Sequence, residues 1–287
     1  MHKNIPFRFG MMGILLGIMI ASTSHAQEAG GAPDLEEINR QLNNPLTSIW
    51  SLVFRNTTSI LDGDAVENSQ TSNLLNFQPV LPIPVGEGLI NINRPVVPLV
   101  TSPTFNSETG AIEHTTGLGD IVLLSMLGPS ATRGFIWGLG PSFVIPTATD
   151  DALGKHKWQA GPAGVGLYMS NDWVLGVLAQ QWWSFAGSDA YSETSTLSAQ
   201  YFIWRVIPGA WQIGMSPVVL VDWKAESGNK VTLPVGLGVG KTVKLGKMPF
   251  KMIFEVEYAV IRPDDLGQTW NFVIQLTPVL RSPFAKR

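Results

Sequence analysis

The sequence predicts an all-β protein, in which about twelve antiparallel strands close into an up-and-down barrel that crosses a membrane. Three observations lead to this fold class. An export signal opens the chain, a series of alternating apolar and polar runs begins at Ser48, and the connections between these runs are long and short by turns. Together they describe a chain that leaves the cytoplasm and then crosses a membrane with strands.

The first 26 residues have the three parts of a secretory signal peptide. Lys3 and Arg8 supply the basic region, residues 11–21 form the apolar stretch, and Ser24 and Ala26 are the small residues of a cleavage site. The apolar stretch is shorter than the roughly 20 residues that span a bilayer as a helix, so an uncleaved anchor is the weaker interpretation. We therefore expect cleavage after Ala26 and export in a Gram-negative cell.

The composition indicates a surface that faces something other than water. Only 14% of the residues are charged, against about 25% in soluble proteins, and the chain holds 10 Trp and no Cys. A secreted chain without cysteine has no disulfide framework. No long apolar run follows residue 26, which excludes a helical membrane protein. The net charge of −3 and the lack of Lys/Arg clusters argue against nucleic acid as a partner.

Residues 27–47 differ from the barrel, which we assign to residues 48–287. Small residues lead this segment, residues 34–42 read as one or two helical turns, and Pro45 ends them. The favoured interpretation is a partly ordered periplasmic leader with a short helix. The alternative is a tether or a small plug at the barrel mouth.

Twelve runs rich in Val, Ile, Leu, Phe and Trp are separated by clusters of Gly, Pro, Asn, Asp and Ser, which is the pattern of strands and turns. An even number is expected for a bacterial outer-membrane barrel, whose tilted strands need about 9–11 residues to cross. The predicted strands are 48–56, 73–84, 88–100, 118–128, 134–147, 157–169, 173–186, 194–206, 211–224, 230–242, 249–262 and 269–280.

The connections give a second, independent indication. Short periplasmic turns and longer extracellular loops alternate in outer-membrane barrels. The same alternation here places both ends of the barrel on the periplasmic side. The long gaps are 57–72, 101–117 and 148–156, and the short gaps between them are 85–87, 129–133 and 170–172.

The faces of the runs indicate which side meets lipid. In 211–223 one face is apolar and carries Trp211 and Trp223 at its two ends, while the other face carries Gln212 and Asp222. An apolar face framed by Trp is typical of a lipid-facing band with two aromatic girdles. The runs 118–128 and 173–186 alternate poorly, and the pattern does not assign their faces. The pair at 182–183 in the second of these favours a girdle over an aromatic ligand contact.

Polar side chains on the opposite faces are the candidate functional residues. They either line a narrow polar path or ligand site, or form a hydrogen-bonded and ion-paired interior that fills the barrel, because buried charges must be paired. Glu255 and Glu257 share one face and need cations, for which Arg55, Arg94 and Lys224 are available. The predicted lumen-lining residues are Arg55, Gln78, Asn91, Asn93, Gln212, Asp222, Glu255, Glu257 and Gln275.

Catalytic chemistry finds little support in the sequence. Beyond the signal peptide the chain keeps His114 and His156, both in expected external loops, and neither has a neighbour pattern that suggests a Ser-His-Asp triad. The Gly-rich stretches lack the strand-turn-helix context of phosphate loops. We therefore expect no enzyme, no catalytic residue, no cofactor and no metal site.

Five motifs are spread over nearly the whole mature chain. They are 73–79 (NLLNFQP), 92–98 (INRPVVP), 117–120 (GLGD), 140–150 (GPSFVIPTATD) and 181–187 (QWWSFAG). In these motifs the chain resembles a group of bacterial outer-membrane proteins often mislabelled neuromedin U-like or simply "transporter", which is similar to the MetA-pathway phenol-degradation family. The resemblance implies a barrel loosely akin to channels for aromatic hydrocarbons and fatty acids, and it brings no catalytic or binding residue.

The expected function is that of an outer-membrane channel or passive transporter for small solutes, of hydrophobic or aromatic character. The alternative is a structural or adhesive barrel with a filled lumen that transports nothing. Outer-membrane lipids, the barrel assembly machinery and a small-molecule solute are the expected partners.

Overall fold

The computed structural model describes residues 34–105 and 111–284, so the expected signal peptide lies outside the described residues. Within them a short helix, α1 (Leu35–Gln41), precedes a series of antiparallel strands. The strands are β1 (Ser51–Asp62), β2 (Gln70–Gly86), β3 (Leu89–Phe105), β4 (Ile112–Leu118), β5 (Ile121–Pro129), β6 (Gly134–Ile145), β7 (Lys157–Met169), β8 (Trp173–Gly187), β9 (Ser195–Ile207), β10 (Trp211–Met215), β11 (Val218–Asp222), β12 (Val231–Leu245), β13 (Met248–Ile261) and β14 (Gly267–Pro278).

These strands form a closed barrel of twelve. β4 and β5 both pair with β3 and make one barrel strand, and β10 and β11 lie in the same way between β9 and β12. β1 pairs with β14, which closes the cylinder. The predicted fold class, a closed antiparallel barrel of about twelve strands, is confirmed. No helix in the described part of the chain could cross a membrane.

The two ends of the barrel differ in the length of their connections. One end carries the short turns 87–88, 130–133, 170–172, 208–210 and 246–247, together with both ends of the barrel chain. We call it the turn end and the opposite one the loop end. The loop end carries the connections 63–69, 146–156, 188–194, 223–230 and 262–266.

The first strands are longer than the sequence predicted. β1 continues to Asp62, whereas the sequence placed its end at residue 56, because polar residues 57–59 keep pairing with residues 72–74. These ladder hydrogen bonds join backbone groups, so they form whether the side chains are polar or apolar. The apolar pattern therefore marks the part of a strand inside lipid and misses the part that extends beyond it.

The outer surface carries an apolar belt with aromatic side chains at both rims, as the strand 211–223 predicted. Large apolar side chains are exposed all around the barrel, and a belt of this kind is stable only in lipid. Phe135, Trp137, Tyr168, Trp173 and Trp211 are exposed near the turn end, and Trp158, Trp183, Phe185, Trp223, Tyr258 and Trp270 near the loop end.

The inside of the barrel is apolar on one side. Buried side chains of β3 and β5 to β9 form one apolar cluster that includes Leu46, among them Ile92, Met126, Leu167 and Trp204. This packing explains why the runs 118–128 and 173–186 alternate poorly, since their inner and outer faces are both apolar. The polar inner side chains lie mainly on β1, β2 and β12 to β14.

The backbone ladder between β10–β11 and β12 is interrupted in the barrel wall. Both pieces pair with β12 in one register, so the strands separate over residues 215–219 without an inserted residue. Side chains bridge this strand break: the Tyr201 hydroxyl donates to the carbonyl of Pro234 at 2.6 Å, and the sulfur of Met215 accepts from the Gly236 N–H at 3.4 Å.

A glycine on the inner wall makes room for Leu46. A Cβ atom at Gly138 would lie 2.7 Å from a methyl group of Leu46, so we expect Gly138→Val to push Leu46 out of its pocket. Overpacking of this kind costs about 1–3 kcal/mol, measurable as a lower midpoint of unfolding in detergent and urea. Gly166→Val on the next strand is the matched control, because its nearest neighbour is a ring carbon of Phe135 at 3.9 Å. Equal midpoints for the two variants would contradict this account.

Candidate functional site

Residues 34–47 enter the barrel from the turn end. The helix α1 begins at Asp34, whose side chain accepts from the Glu36 N–H at 3.0 Å. Glu36 and Glu37 stand in its first turn and Arg40 in its last, the arrangement that the helix dipole favours. Local sequence therefore suffices to start and stop this helix, although seven residues alone would be marginal in water.

A buried lysine of the barrel wall holds the helix in place. Lys251 is 1% exposed, and its Nζ donates to the carbonyl of Asn39 at 3.1 Å and to Oδ1 of Asn43 at 2.6 Å. The hydroxyl of Thr242 donates to Oδ1 of Asn39 at 2.9 Å, and Nδ2 of Asn43 donates to Oε1 of Gln212 at 2.8 Å. These hydrogen bonds form one polar cluster that connects the segment to β10, β12 and β13.

The helix also bonds to the short turns at the rim. A carboxylate oxygen of Glu36 accepts from the Gly209 N–H at 2.6 Å, and Nη1 of Arg40 donates to the carbonyl of Asn171 at 3.2 Å. Leu46 completes the attachment from the apolar side. Residues 34–47 thus lie inside the barrel at its turn end, which we call the base. The sequence instead favoured a partly ordered leader for this segment.

Above this segment an arginine lies between two carboxylates. The guanidinium of Arg55 is 3.5 Å from Glu255 and 3.3 Å from Glu257, and all three side chains are buried. Nδ2 of Asn271 donates to the second oxygen of Glu257 at 3.1 Å. Among the three cations that the sequence offered, Arg55 is thus the one that pairs with both glutamates.

Glu255 also satisfies the backbone at the strand break. Its two oxygens accept from the N–H of Ser216 at 2.8 Å and from the Ser216 hydroxyl at 2.7 Å. The carbonyl of Ser216 accepts from Nε2 of Gln200 at 3.1 Å. Because an unpaired buried backbone group costs as much as a lost hydrogen bond, the inner carboxylate replaces a missing β12 partner.

A cavity of about 360 Å³ lies above these charges, and it falls in the range of about 300–1,000 Å³ that ligand sites occupy. Polar groups, including Gln78, Asn76 and Asn271, line one side. Apolar side chains of β3, β5 and β8, including Trp182, line the other. A smaller cavity of about 60 Å³ lies beside residues 42–47, and Arg94 lines both spaces.

Seven of the nine residues predicted to line the lumen have inward-facing side chains, and two do not. Asn91 and Asn93 were predicted on the inner face, but they alternate with the buried Ile90 and Ile92 and pair with β5 at Leu127 and Ser125. Their amides satisfy each other and Ser125 on the outer face. The sequence misplaced them because it assumed that the polar face always points inward. The seven inward residues are Arg55, Gln78, Gln212, Asp222, Glu255, Glu257 and Gln275.

Sequence reasoning missed Lys251, Asn39, Asn43 and Trp182 as members of the interior. Lys251 shares its face with Glu255, so strand alternation alone could have found it. The two asparagines follow no strand pattern and have no comparable signal. Trp182 points inward and donates from Nε1 to Ser142 at 2.9 Å, whereas Trp183 is exposed on the outer face. The predicted girdle pair is therefore divided between the two faces.

The two histidines of the described chain lie in or near the connections of the loop end. Nε2 of His114 is 3.1 Å from the carbonyl of Thr71. His156 lies 3.2 Å from Asp151 and stacks on Tyr191, with ring centroids 4.5 Å apart. The Tyr191 hydroxyl donates to Asp151 at 3.0 Å, and this hydrogen bond raises the pKa of the phenol. These contacts stabilise loops, and the expectation of no enzymatic activity stays a prediction.

Comparison with solved structures places this geometry among known barrels. An outer membrane channel from Pseudomonas putida F1 matches 81% of this chain and 94% of its own, with 15% identity and a TM-score of 0.57. The fold is that of an outer-membrane barrel. With the lipid-facing belt, it locates the protein in the outer membrane.

Other similarities are more distant. The β domain of the Bordetella autotransporter BrkA matches 81% of this chain and 100% of its own, with 13% identity and a TM-score of 0.44. Outer membrane phospholipase A from Escherichia coli matches 88% and 100%, with 12% identity and a TM-score of 0.40. Scores this low carry no argument about function. No protein-family model matches the sequence, and no curated protein matches it.

Proposed function

We propose that the protein is an outer-membrane channel, a passive route for small solutes, whose base is closed by a movable plug formed by residues 34–47. The observation that carries this proposal is a cavity of about 360 Å³ inside a barrel whose turn end holds a segment that is not part of the wall. Twelve strands enclose more space than the eight of barrels filled by side chains alone. The similarity in fold to a solved outer-membrane channel supports the same function.

The attachment of the plug is compatible with movement. Its helix is held by hydrogen bonds, each worth about 0.5–1.5 kcal/mol net because water offers the same bonds after release. Leu46 belongs to the apolar cluster of the inner wall, and it leaves this cluster only when the segment moves. The plug enters at the turn end, which we assign to the periplasm because short turns lie there in bacterial barrels.

The solute class follows from the lining. One side of the cavity is mainly apolar and the other mainly polar, which suits small molecules with an apolar body better than inorganic ions or sugars. The resemblance to phenol-degradation barrels in the five sequence motifs supports hydrophobic or aromatic solutes. The second candidate function is a barrel that transports nothing, and the ion-paired cluster and apolar packing that fill the base favour it.

Locking the plug separates the two candidates. The chain has no cysteine, so Asn43→Cys with Gln212→Cys introduces the only two thiols, at side chains that are hydrogen-bonded in the closed barrel. We expect proteoliposomes with the uncrosslinked protein to take up small aromatic solutes faster than empty liposomes. A short, reducible thiol crosslinker should join the two cysteines and remove most of this uptake. Reduction of the crosslink should restore the uptake.

The matched control joins two strands of the wall outside the lumen. Asn56→Cys with Asn73→Cys replaces another pair of hydrogen-bonded side chains, on β1 and β2, and should leave uptake unchanged after crosslinking. Uptake no faster than in empty liposomes, for wild type and both variants, would support the barrel that transports nothing. Equal uptake before and after locking would reject the plug.

A further inference from the structure

Arg94 is a half-buried cation of the inner wall that has no acidic partner among the described residues. Nη2 donates to Oε1 of Gln78, and Nε is buried without a hydrogen-bond partner. No carboxylate oxygen of the described residues lies within 4.0 Å of its guanidinium, whereas Arg55 has two such partners. A partly desolvated charge without a counter-charge is costly, and an anion bound in the cavity would lower this cost.

The other charged groups near the cavity already have hydrogen-bond or ion-pair partners. Arg55 binds Glu255 and Glu257, and its positive charge repels that of Arg94 instead of compensating it. Both oxygens of Asp120 accept backbone N–H bonds, from Ala148 at 3.2 Å and from Lys155 at 2.7 Å. An anion that entered the cavity would therefore find Arg94 as its available guanidinium.

The wall beside Arg94 offers an apolar surface to the rest of such a ligand. Val96, Val122, Leu124, Leu178 and Trp182 line the same cavity. The N–H of Trp182 is taken by Ser142, so the residue has no other donor to offer a ligand. A single guanidinium also matches a monoanion, because a dianion would bring uncompensated charge close to Glu257.

We propose that the cavity binds small organic monocarboxylates, with the carboxylate on Arg94 and the apolar body against the wall of β3, β5 and β8. A carboxylate suits this position because the planar guanidinium fork can donate two parallel hydrogen bonds to it. The proposal rests on the proposed channel function for its access route, and it names the solute class that such a channel would take.

Equilibrium binding to the purified full chain in detergent tests the site separately from transport. The probe is benzoate, with benzamide as its neutral isostere, and calorimetry reads the affinity. We expect wild type to bind benzoate at least tenfold more tightly than benzamide, because a guanidinium forms stronger hydrogen bonds with a charged carboxylate than with a neutral amide. Arg94→Gln should remove this preference and leave the affinity for benzamide within about twofold of wild type.

Two further variants keep the test decisive. Arg94→Lys retains the charge without the fork and should keep part of the preference. Arg205→Gln removes an arginine of the outer face, next to Trp173, and should change neither affinity. Equal affinities of wild type for benzoate and benzamide would overturn the proposal without any variant, whether or not Arg94→Gln folds.

Binding and uptake together distinguish the two proposals. If the liposomes show uptake while benzoate binding lacks the preference, the channel stands and the carboxylate site fails. Preferential binding without uptake would support the carboxylate site and reject the channel.

Discussion

Replacing Glu255 with glutamine is expected to lower the free energy of unfolding of the barrel by about 3 kcal/mol, because it breaks a buried ion pair and leaves buried hydrogen-bond donors without an acceptor. Glu255 is fully buried, lies 3.5 Å from Arg55 and accepts two hydrogen bonds from Ser216. A neutral amide has one acceptor oxygen in place of two, so its NH₂ group would face either the N–H of Ser216 or the guanidinium of Arg55. Urea unfolding of the detergent-refolded protein, followed by tryptophan fluorescence, measures the loss.

Glu193→Gln is the matched control for this prediction. Glu193 lies 3.2 Å from Lys224, but both side chains are more than half exposed, so the pair contributes little. We expect its unfolding curve to superimpose on that of wild type. A Glu255→Gln variant as stable as the control would show that the strand break needs no carboxylate.

Replacing residues 34–47 with a Gly/Ser segment of the same length is expected to raise single-channel conductance several-fold in planar bilayers. The replacement removes the helix, the bonds to Lys251 and Leu46 with its pocket contacts, and it joins the lower cavity to the space above. The remaining constriction should then be formed by Arg55, Glu255 and Glu257. We expect the conductance to rise. The heat-dependent shift in electrophoretic mobility, which reports a folded barrel, should stay the same as for wild type.

A Gly/Ser replacement of the loop 223–230 controls for the flexible segment itself. This loop lies at the loop end of the barrel, whereas the plug lies at the turn end. We expect it to keep the wild-type conductance. If both replacements conduct like wild type, residues 34–47 do not close the base.

Most of the wall could be predicted from the sequence, since each membrane strand is a local pattern. Alternation and turn residues located all twelve barrel strands, and Trp211 and Trp223 correctly marked the face that meets lipid. The same rule failed at Asn91 and Asn93, because an interior packed around Leu46 makes the inner face of β3 apolar. A period of two indicates that two faces differ, and it does not indicate which of them points inward.

The candidate site was less accessible to sequence reasoning. The pairing of Glu255 and Glu257 with a cation was predicted, but their link to Ser216 depends on a strand break that has no strong sequence signal. The sequence did not predict that Arg94 lacks an acidic partner, because such a lack is recognised only when every neighbour is known.

The sequence by itself determined the number and order of the strands, the lipid-facing belt and the side of the barrel on which the connections are short. Each of these depends on residues close together in the chain, where period, turn chemistry and composition act locally. Only the tertiary structure decided what fills the lumen. The contacts of Asn39 and Asn43 with Lys251 join positions more than 200 residues apart, and they form because strand closure brings β13 to the helix.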